Sequence, residues 1–124
     1  MGGLQTVLVV ADDAAIRLLC RVNLELEGFR VLEAPTLRDA RLALDAEAVD
    51  VVLLDLHVGE EDGWSLADEL RDRDDGVKVA LLSGAVDLPP AEAARVDAVV
   101  PKPFTLEALG SAVRNLAAVR SATR

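Results

Sequence analysis

Tyrosine is absent from this chain of 124 residues, and there are only two phenylalanines and one tryptophan. With so few rings, the core must be aliphatic, and a hydrophobic content of 52% is enough to build one. The single cysteine, Cys20, excludes an internal disulfide. It lies in a helix-like apolar pattern, so a buried structural thiol is expected rather than a nucleophile. No apolar run approaches the ~20 residues of a membrane span, and no signal peptide precedes Leu4. A cytoplasmic domain without membrane contact is therefore expected. Positive charge is scarce as well, with 13 basic against 22 acidic residues and a net charge of −9. No basic run is written anywhere, so nucleic acid and anionic lipid would be repelled over most of the surface. No direct nucleic-acid partner is expected.

Strand-like and helix-like segments alternate five times. Gln5–Val10 is a short β-branched apolar run suited to a strand buried on both faces. Residues 14–27 then place Ala15, Leu19, Val22 and Leu26 on one helical face, and Gly28 follows as a stop. Arg30–Ala34 reads as a strand, and Thr36 with Asp39 as a capping box for a helix to Ala46. Val51–Leu54 is the most apolar strand and ends on Asp55. After the Asp62-Gly63 turn a helix is expected over Trp64–Arg71, with Trp64 packing its start. A polar loop follows at Asp72–Gly76. Val77–Leu82 forms the fourth strand, ending at Ser83-Gly84. Pro89-Pro90 confines the next helix, over Leu88–Arg95, to a short one. Ala98–Val100 is the fifth strand, ending near Lys102. Thr105 caps a last helix carrying Leu106, Leu109, Val113 and Leu116 on its core face. This alternation specifies an α/β domain, a doubly wound five-stranded parallel sheet of flavodoxin-like strand order 2-1-3-4-5. One domain over residues 1–124 is expected, with its core at about 4–118.

In such folds ligands bind at the carboxyl ends of the strands. Strand 1 ends on Asp12-Asp13, strand 3 on Asp55, strand 4 on Ser83 and strand 5 near Lys102. Carboxylates brought together repel unless a cation joins them. Hard oxygen ligands without a His or Cys cluster suit Mg²⁺ rather than zinc. A lysine and a hydroxyl opposite them complete a pocket for a phosphoryl group, with Asp55 as the nucleophile that forms an acyl phosphate.

The motifs "VVADD", "VVLLDLHVGEEDGW", "ALLSG" and "VVPKPFT" together resemble a response-regulator receiver domain of two-component signalling, over about Leu4 to Ala118. The resemblance implies Asp55 as phosphoacceptor, fed by a phosphohistidine on a sensor histidine kinase or phosphotransfer protein. It implies Asp12 as a direct Mg²⁺ ligand and the backbone carbonyl of His57 as another. Ser83 and Lys102 would hold the phosphoryl oxygens and report its arrival to the surface around helix 4, strand 5 and helix 5. The Lys102–Pro103 bond would be cis.

Three positions depart from the family pattern. Counting back from Ala15-Ile16-Arg17 places Ala11 where the first of two acids belongs, Asp12 on the second, and Asp13 beyond them. A strand shifted by one residue would restore the pair with Asp13 as a metal ligand, at the cost of inverting Val7–Val10 or of a bulge. Without that shift one acid is missing, and weak Mg²⁺ binding follows. Gly59 replaces a proline, and Val99 stands where an aromatic switch residue belongs. Three functions compete: a phosphoaccepting receiver, a pseudo-receiver that binds proteins without phosphorylation, and a haloacid-dehalogenase-type phosphatase. The last is disfavoured because an acid is needed where His57 stands. The receiver is not read as an enzyme beyond accepting and losing its own phosphoryl group. The helix 4–strand 5–helix 5 face has two candidate occupants, solvent or a second copy. Arg114, Arg120 and Arg124 are the residues that would pair with acids across such a dimer.

Overall fold

Apart from a short hairpin, strands and helices alternate from Thr6 to Ala122. The computed structural model describes residues 4–73, 75–83 and 89–122. In chain order they form β1 (Thr6–Val10), α1 (Ala14–Leu26), β2 (Arg30–Ala34), α2 (Leu37–Ala46), β3 (Val51–Asp55), β4 (His57–Val58), β5 (Glu61–Asp62), α3 (Trp64–Arg73), β6 (Lys78–Ser83), α4 (Pro90–Ala93), β7 (Ala98–Pro101) and α5 (Leu106–Ala122). The main sheet is parallel and five-stranded, in the order β2-β1-β3-β6-β7. Counting only its own strands, this is the expected order 2-1-3-4-5. The pair β4–β5 is a separate antiparallel hairpin of two residues a side, which the sequence pattern did not announce.

Side chains alternate across each strand, and the two faces of the sheet carry two cores. Leu8, Val10, Val52, Leu54 and Leu81 pack under α2 and α3, against Leu37, Leu44, Leu66 and Leu70. Val7, Val9, Leu53, Leu82 and Val100 pack under α1 and α5, against Cys20, Leu24, Leu109 and Val113. Each fully buried Leu or Val contributes roughly 1.5–3 kcal/mol of transfer free energy, so no aromatic residue is needed at the centre.

The helix ends follow local chemistry. Thr36 accepts the amide of Asp39 at the start of α2, and Thr105 accepts that of Ala108 at the start of α5. α1 closes on Gly28, whose φ of +96° is free of penalty only for glycine. The Gly28 amide bonds the Glu25 carbonyl and the Phe29 amide that of Leu24, the paired closure that satisfies the last carbonyls of a helix.

Four expectations need correction. The stripe Ala15, Leu19, Val22 and Leu26 does not face the core: Ala15 is exposed, Leu18, Leu19 and Val22 are half exposed, and Leu26 is 82% exposed. The buried stripe is instead Cys20 and Leu24, with Ile16 packed against the same core. Apart from Arg17, Arg21, Asn23 and Glu25 the α1 residues are apolar, so both stripes satisfy helical periodicity, and packing against the sheet and α5 takes up Cys20 and Leu24. α3 runs on to Arg73, taking in Asp72 from the expected loop. α4 has only four residues, because Pro89-Pro90 sets its start and no apolar stripe extends it; Gly84 and Leu88 lie outside the described residues. Finally, Arg114 and Arg120 are engaged within the chain. Arg114 pairs with Glu27 of the α1 end, and Arg120 pairs with buried Asp50 and donates to the Asp75 carbonyl. Arg124 lies outside the described residues.

Candidate functional site at the strand ends

Sheet register brings the polar residues to one edge. Val10 lies opposite Leu54, which sets Ala11 beside Asp55 one step further along. Asp55 in turn lies opposite Leu82, one residue before Ser83, and Ser83 pairs with Pro101, one residue before Lys102. The Lys102 amide donates to the Ser83 carbonyl at 2.7 Å, and the Lys102–Pro103 bond is cis.

Asp55 is 6% exposed. The Lys102 ammonium donates to its Oδ2 at 2.9 Å, so the buried carboxylate faces a cation across a hydrogen bond. Ser83 is buried beside this pair. Asp12 is exposed, and its Oδ2 accepts the amide of Gly59 at 3.0 Å. His57 opens β4, with its backbone paired to Asp62.

Asp13 does something else. Its carboxylate accepts the amides of Ala15 at 2.8 Å and Ile16 at 3.4 Å, and so caps α1. β1 is regular: Thr6–Val10 pair with β2 and Val7–Val10 with β3 in unbroken register, with no bulge on either side. Ala11 is fully buried just beyond the end of β1. Asp13 thus works as the N-cap of α1.

Several participants were invisible in the sequence. The Arg17 guanidinium donates to the Ala11 carbonyl at 2.7 Å and pairs with Glu33 at 3.4 Å, which ties α1 to the ends of β1 and β2. Gly63 presses on the back of the site: a Cβ there would lie 2.5 Å from the Asp55 carbonyl oxygen and 2.9 Å from that of Leu56. Its amide also donates to the Leu56 carbonyl at 2.7 Å. Asp62 accepts the Trp64 amide at 3.0 Å and starts α3. Trp64 then packs beneath Arg95, whose guanidinium lies 4.2 Å from the ring centre and forks onto Asp68. Val99, half-buried in β7 beside Leu81, offers no ring to rotate.

A groove of about 480 Å³ lies between α2 and α3, lined among others by Arg41, Leu44, Leu66 and Glu69. Arg41 forks onto Glu69 there, at 2.9 and 3.0 Å. None of the strand-end polar residues lines it.

The family described as the response regulator receiver domain matches residues 7–114. The chain belongs to this family. It is 37% identical over 82 residues to the regulatory protein VirG of Agrobacterium fabrum, which covers 66% of this chain and 32% of that protein. It is 32% identical over 113 residues to the response regulator MprA of Mycolicibacterium vanbaalenii, covering 89% of this chain and 49% of that one. The chain thus spans between a third and a half of these relatives. A CheY-like receiver domain from Methanospirillum hungatei superposes with a TM-score of 0.89 at 23% identity, covering 98% of this chain and 100% of that one, which establishes the fold. This receiver is a signalling module of two-component systems, of the kind that accepts a phosphoryl group. Receiver domains generally bind Mg²⁺ at an acidic pocket and interact with histidine kinases or phosphotransfer proteins.

This pocket offers such a metal few side chains. Among the described residues no three His, Cys, Asp or Glu side chains gather closely enough to form a cage. Asp12 and Asp55 remain, and two hard carboxylates suit Mg²⁺, which keeps several waters and takes phosphate oxygens as further ligands. Among the described residues no helix is long and apolar enough to cross a membrane.

Proposed function

We propose that Asp55 takes the phosphoryl group from a phosphohistidine on a sensor histidine kinase or phosphotransfer protein. A carboxylate oxygen of Asp55 attacks phosphorus, the P–N bond to the donor breaks, and the imidazole leaves with its electron pair while an acyl phosphate forms. The observation that carries this reading is the buried Asp55 carboxylate with Lys102 at 2.9 Å. Lys102 neutralises the nucleophile at rest and follows the charge onto a phosphoryl oxygen as it arrives. Ser83, buried one residue beyond the strand pairing of Asp55, donates to a second oxygen. Asp12, Asp55 and the His57 carbonyl would hold Mg²⁺, which when bound would supply positive charge to the remaining oxygens. With Ala11 in place of the first acid, this ion binds weakly.

The exposed stripe Leu18, Leu19, Val22 and Leu26 runs down α1 from the end that carries Asp12 and Asp13. It offers an apolar seat for the helix that presents the donor histidine. The remaining proposals are one domain with its core over residues 4–118, a cytoplasmic location, and a second copy docked on the α4–β7–α5 face. A pseudo-receiver is the reading that Ala11, Gly59 and Val99 favour. Incubation with phosphoramidate or acetyl phosphate and Mg²⁺, followed by intact mass, separates the two. The receiver gains the mass of one phosphoryl group, and Asp55→Asn gains none. No gain with either donor, or with a histidine kinase, establishes the pseudo-receiver.

A further inference from the structure

Gly59 sits in the turn between β4 and β5 with φ at +63°, a backbone conformation that glycine adopts without steric cost. Space does not require glycine there, since nothing lies within 4 Å of where a Cβ would stand. The backbone conformation does, and its effect is to aim one N–H at Asp12. That amide meets Oδ2 at 3.0 Å, while among the described residues no hydrogen bond is made to Oδ1. One carboxylate oxygen is held and the other stays open. The position is one where the family pattern has proline, a residue with neither this N–H nor this φ.

We infer that Gly59 is a positioning residue for the cation site, its amide orienting Asp12, the acid that follows β1, so that Oδ1 stays available to Mg²⁺. The inference rests on the proposed metal-binding role of Asp12. A carboxylate that ligates a metal needs partners of its own to fix its orientation, and their loss costs metal affinity. In a pocket with Ala11 in place of an acid, Asp12 is exposed and makes no other hydrogen bond among the described residues. Without the amide it would rotate freely. The same turn leads within four residues to Gly63, whose backbone touches the carbonyls of Asp55 and Leu56. Cation binding at Asp12 and the backbone of the phosphoacceptor are thereby joined through one short hairpin.

The test is a Mg²⁺ titration of the whole chain, followed by Trp64 fluorescence and by the backbone amide signals. Gly59→Pro, which has no amide proton, weakens Mg²⁺ binding by about 10–100-fold. Gly59→Asn keeps the amide and tolerates the left-handed backbone, and binds within about twofold of the parent. In the parent the Gly59 amide stays protected from exchange when Mg²⁺ is bound, and Asp12→Ala exposes it. Thermal melts of each variant confirm that the fold is retained. If Gly59→Pro misfolds, amide protection in the parent and in Asp12→Ala decides the matter. Equal affinity of Gly59→Pro and parent, or release of the Gly59 amide on cation binding, overturns the inference. Phosphorylation of Asp55 is scored separately by mass, so the inference can fail while the phosphoacceptor reading stands. A parent with no saturable response to Mg²⁺ overturns the inference together with the metal role of Asp12.

Discussion

Replacing Gly63 by alanine adds one methyl group behind the phosphoacceptor. Its Cβ would lie 2.5 Å from the Asp55 carbonyl oxygen, 2.9 Å from the Leu56 carbonyl oxygen and 3.2 Å from the Leu56 carbonyl carbon. The first of these is about 1 Å closer than van der Waals contact permits. All three neighbours are backbone atoms, so no side chain can swing aside. Either α3 retreats and its Gly63–Leu56 hydrogen bond at 2.7 Å lengthens, or the end of β3 tilts and carries Asp55 with it. Overpacking of this kind destabilises by about 1–3 kcal/mol, which leaves a domain of ordinary stability folded. The effect on chemistry is larger, because a displacement of about 1 Å at a reacting group costs on the order of 100-fold in rate. Urea denaturation and the rate of mass gain with phosphoramidate measure the two effects on one sample. Gly28→Ala is the control: its φ of +96° adds backbone strain, but no atom lies within 4 Å and it is remote from the strand ends. It lowers stability by about 1–2 kcal/mol and leaves the rate unchanged. A Gly63→Ala protein that matches the parent in both measurements refutes the argument that α3 and Asp55 are in rigid backbone contact.

Asp50, 3% exposed, accepts the Thr6 amide at 2.9 Å and pairs with Arg120. Asp50→Ala removes the acceptor of the Thr6 amide and a partner of the half-buried Arg120, and costs about 1–3 kcal/mol in urea unfolding; a loss below about 0.5 kcal/mol would count against Asp50 as an anchor of β1 and α5. Burial pushes the Cys20 thiol from 9.0 up to about 11. Between those values the unfolded thiol ionises while the folded one stays protonated, so stability falls as pH rises through that window, by roughly 3 kcal/mol in all. Rapid labelling of native Cys20 by a thiol reagent at neutral pH would contradict this burial. Val22→Glu on the exposed α1 stripe leaves unfolding within about 0.5 kcal/mol of the parent. It leaves phosphorylation by phosphoramidate intact but slows transfer from a histidine donor protein, and equal transfer rates would remove α1 from the docking surface.

Much of this receiver is legible in its sequence because short-range rules govern it. A strand buried on both faces needs a continuous apolar run, and Val51–Leu54 is one. Caps need a hydroxyl or carboxylate at one offset, and Thr36 and Thr105 supply it. Parallel βα order sends every strand end to the same edge, which is why Asp12, Asp55, Ser83 and Lys102 could be read as one group before any distance was known. The polar pattern at those ends carries the family with it.

Other features depend on atoms distant in the chain, and local pattern is silent about them. α1 carries two apolar stripes of equal periodicity, and packing against the sheet and α5 turned Cys20 and Leu24 inward. That Asp13 spends its carboxylate on capping α1, while Ala11 is buried beyond a β1 paired with two neighbours at once, was likewise decided only in the fold. The meaning of Gly59 changed most. In the sequence it is a missing proline; in the fold it is an amide held against Asp12, 47 residues away. Composition and spacing determined which chemical groups this protein has and which edge they reach. Tertiary structure alone decided which of those groups face one another, because hydrogen bonds between residues far apart in the chain leave no period in it.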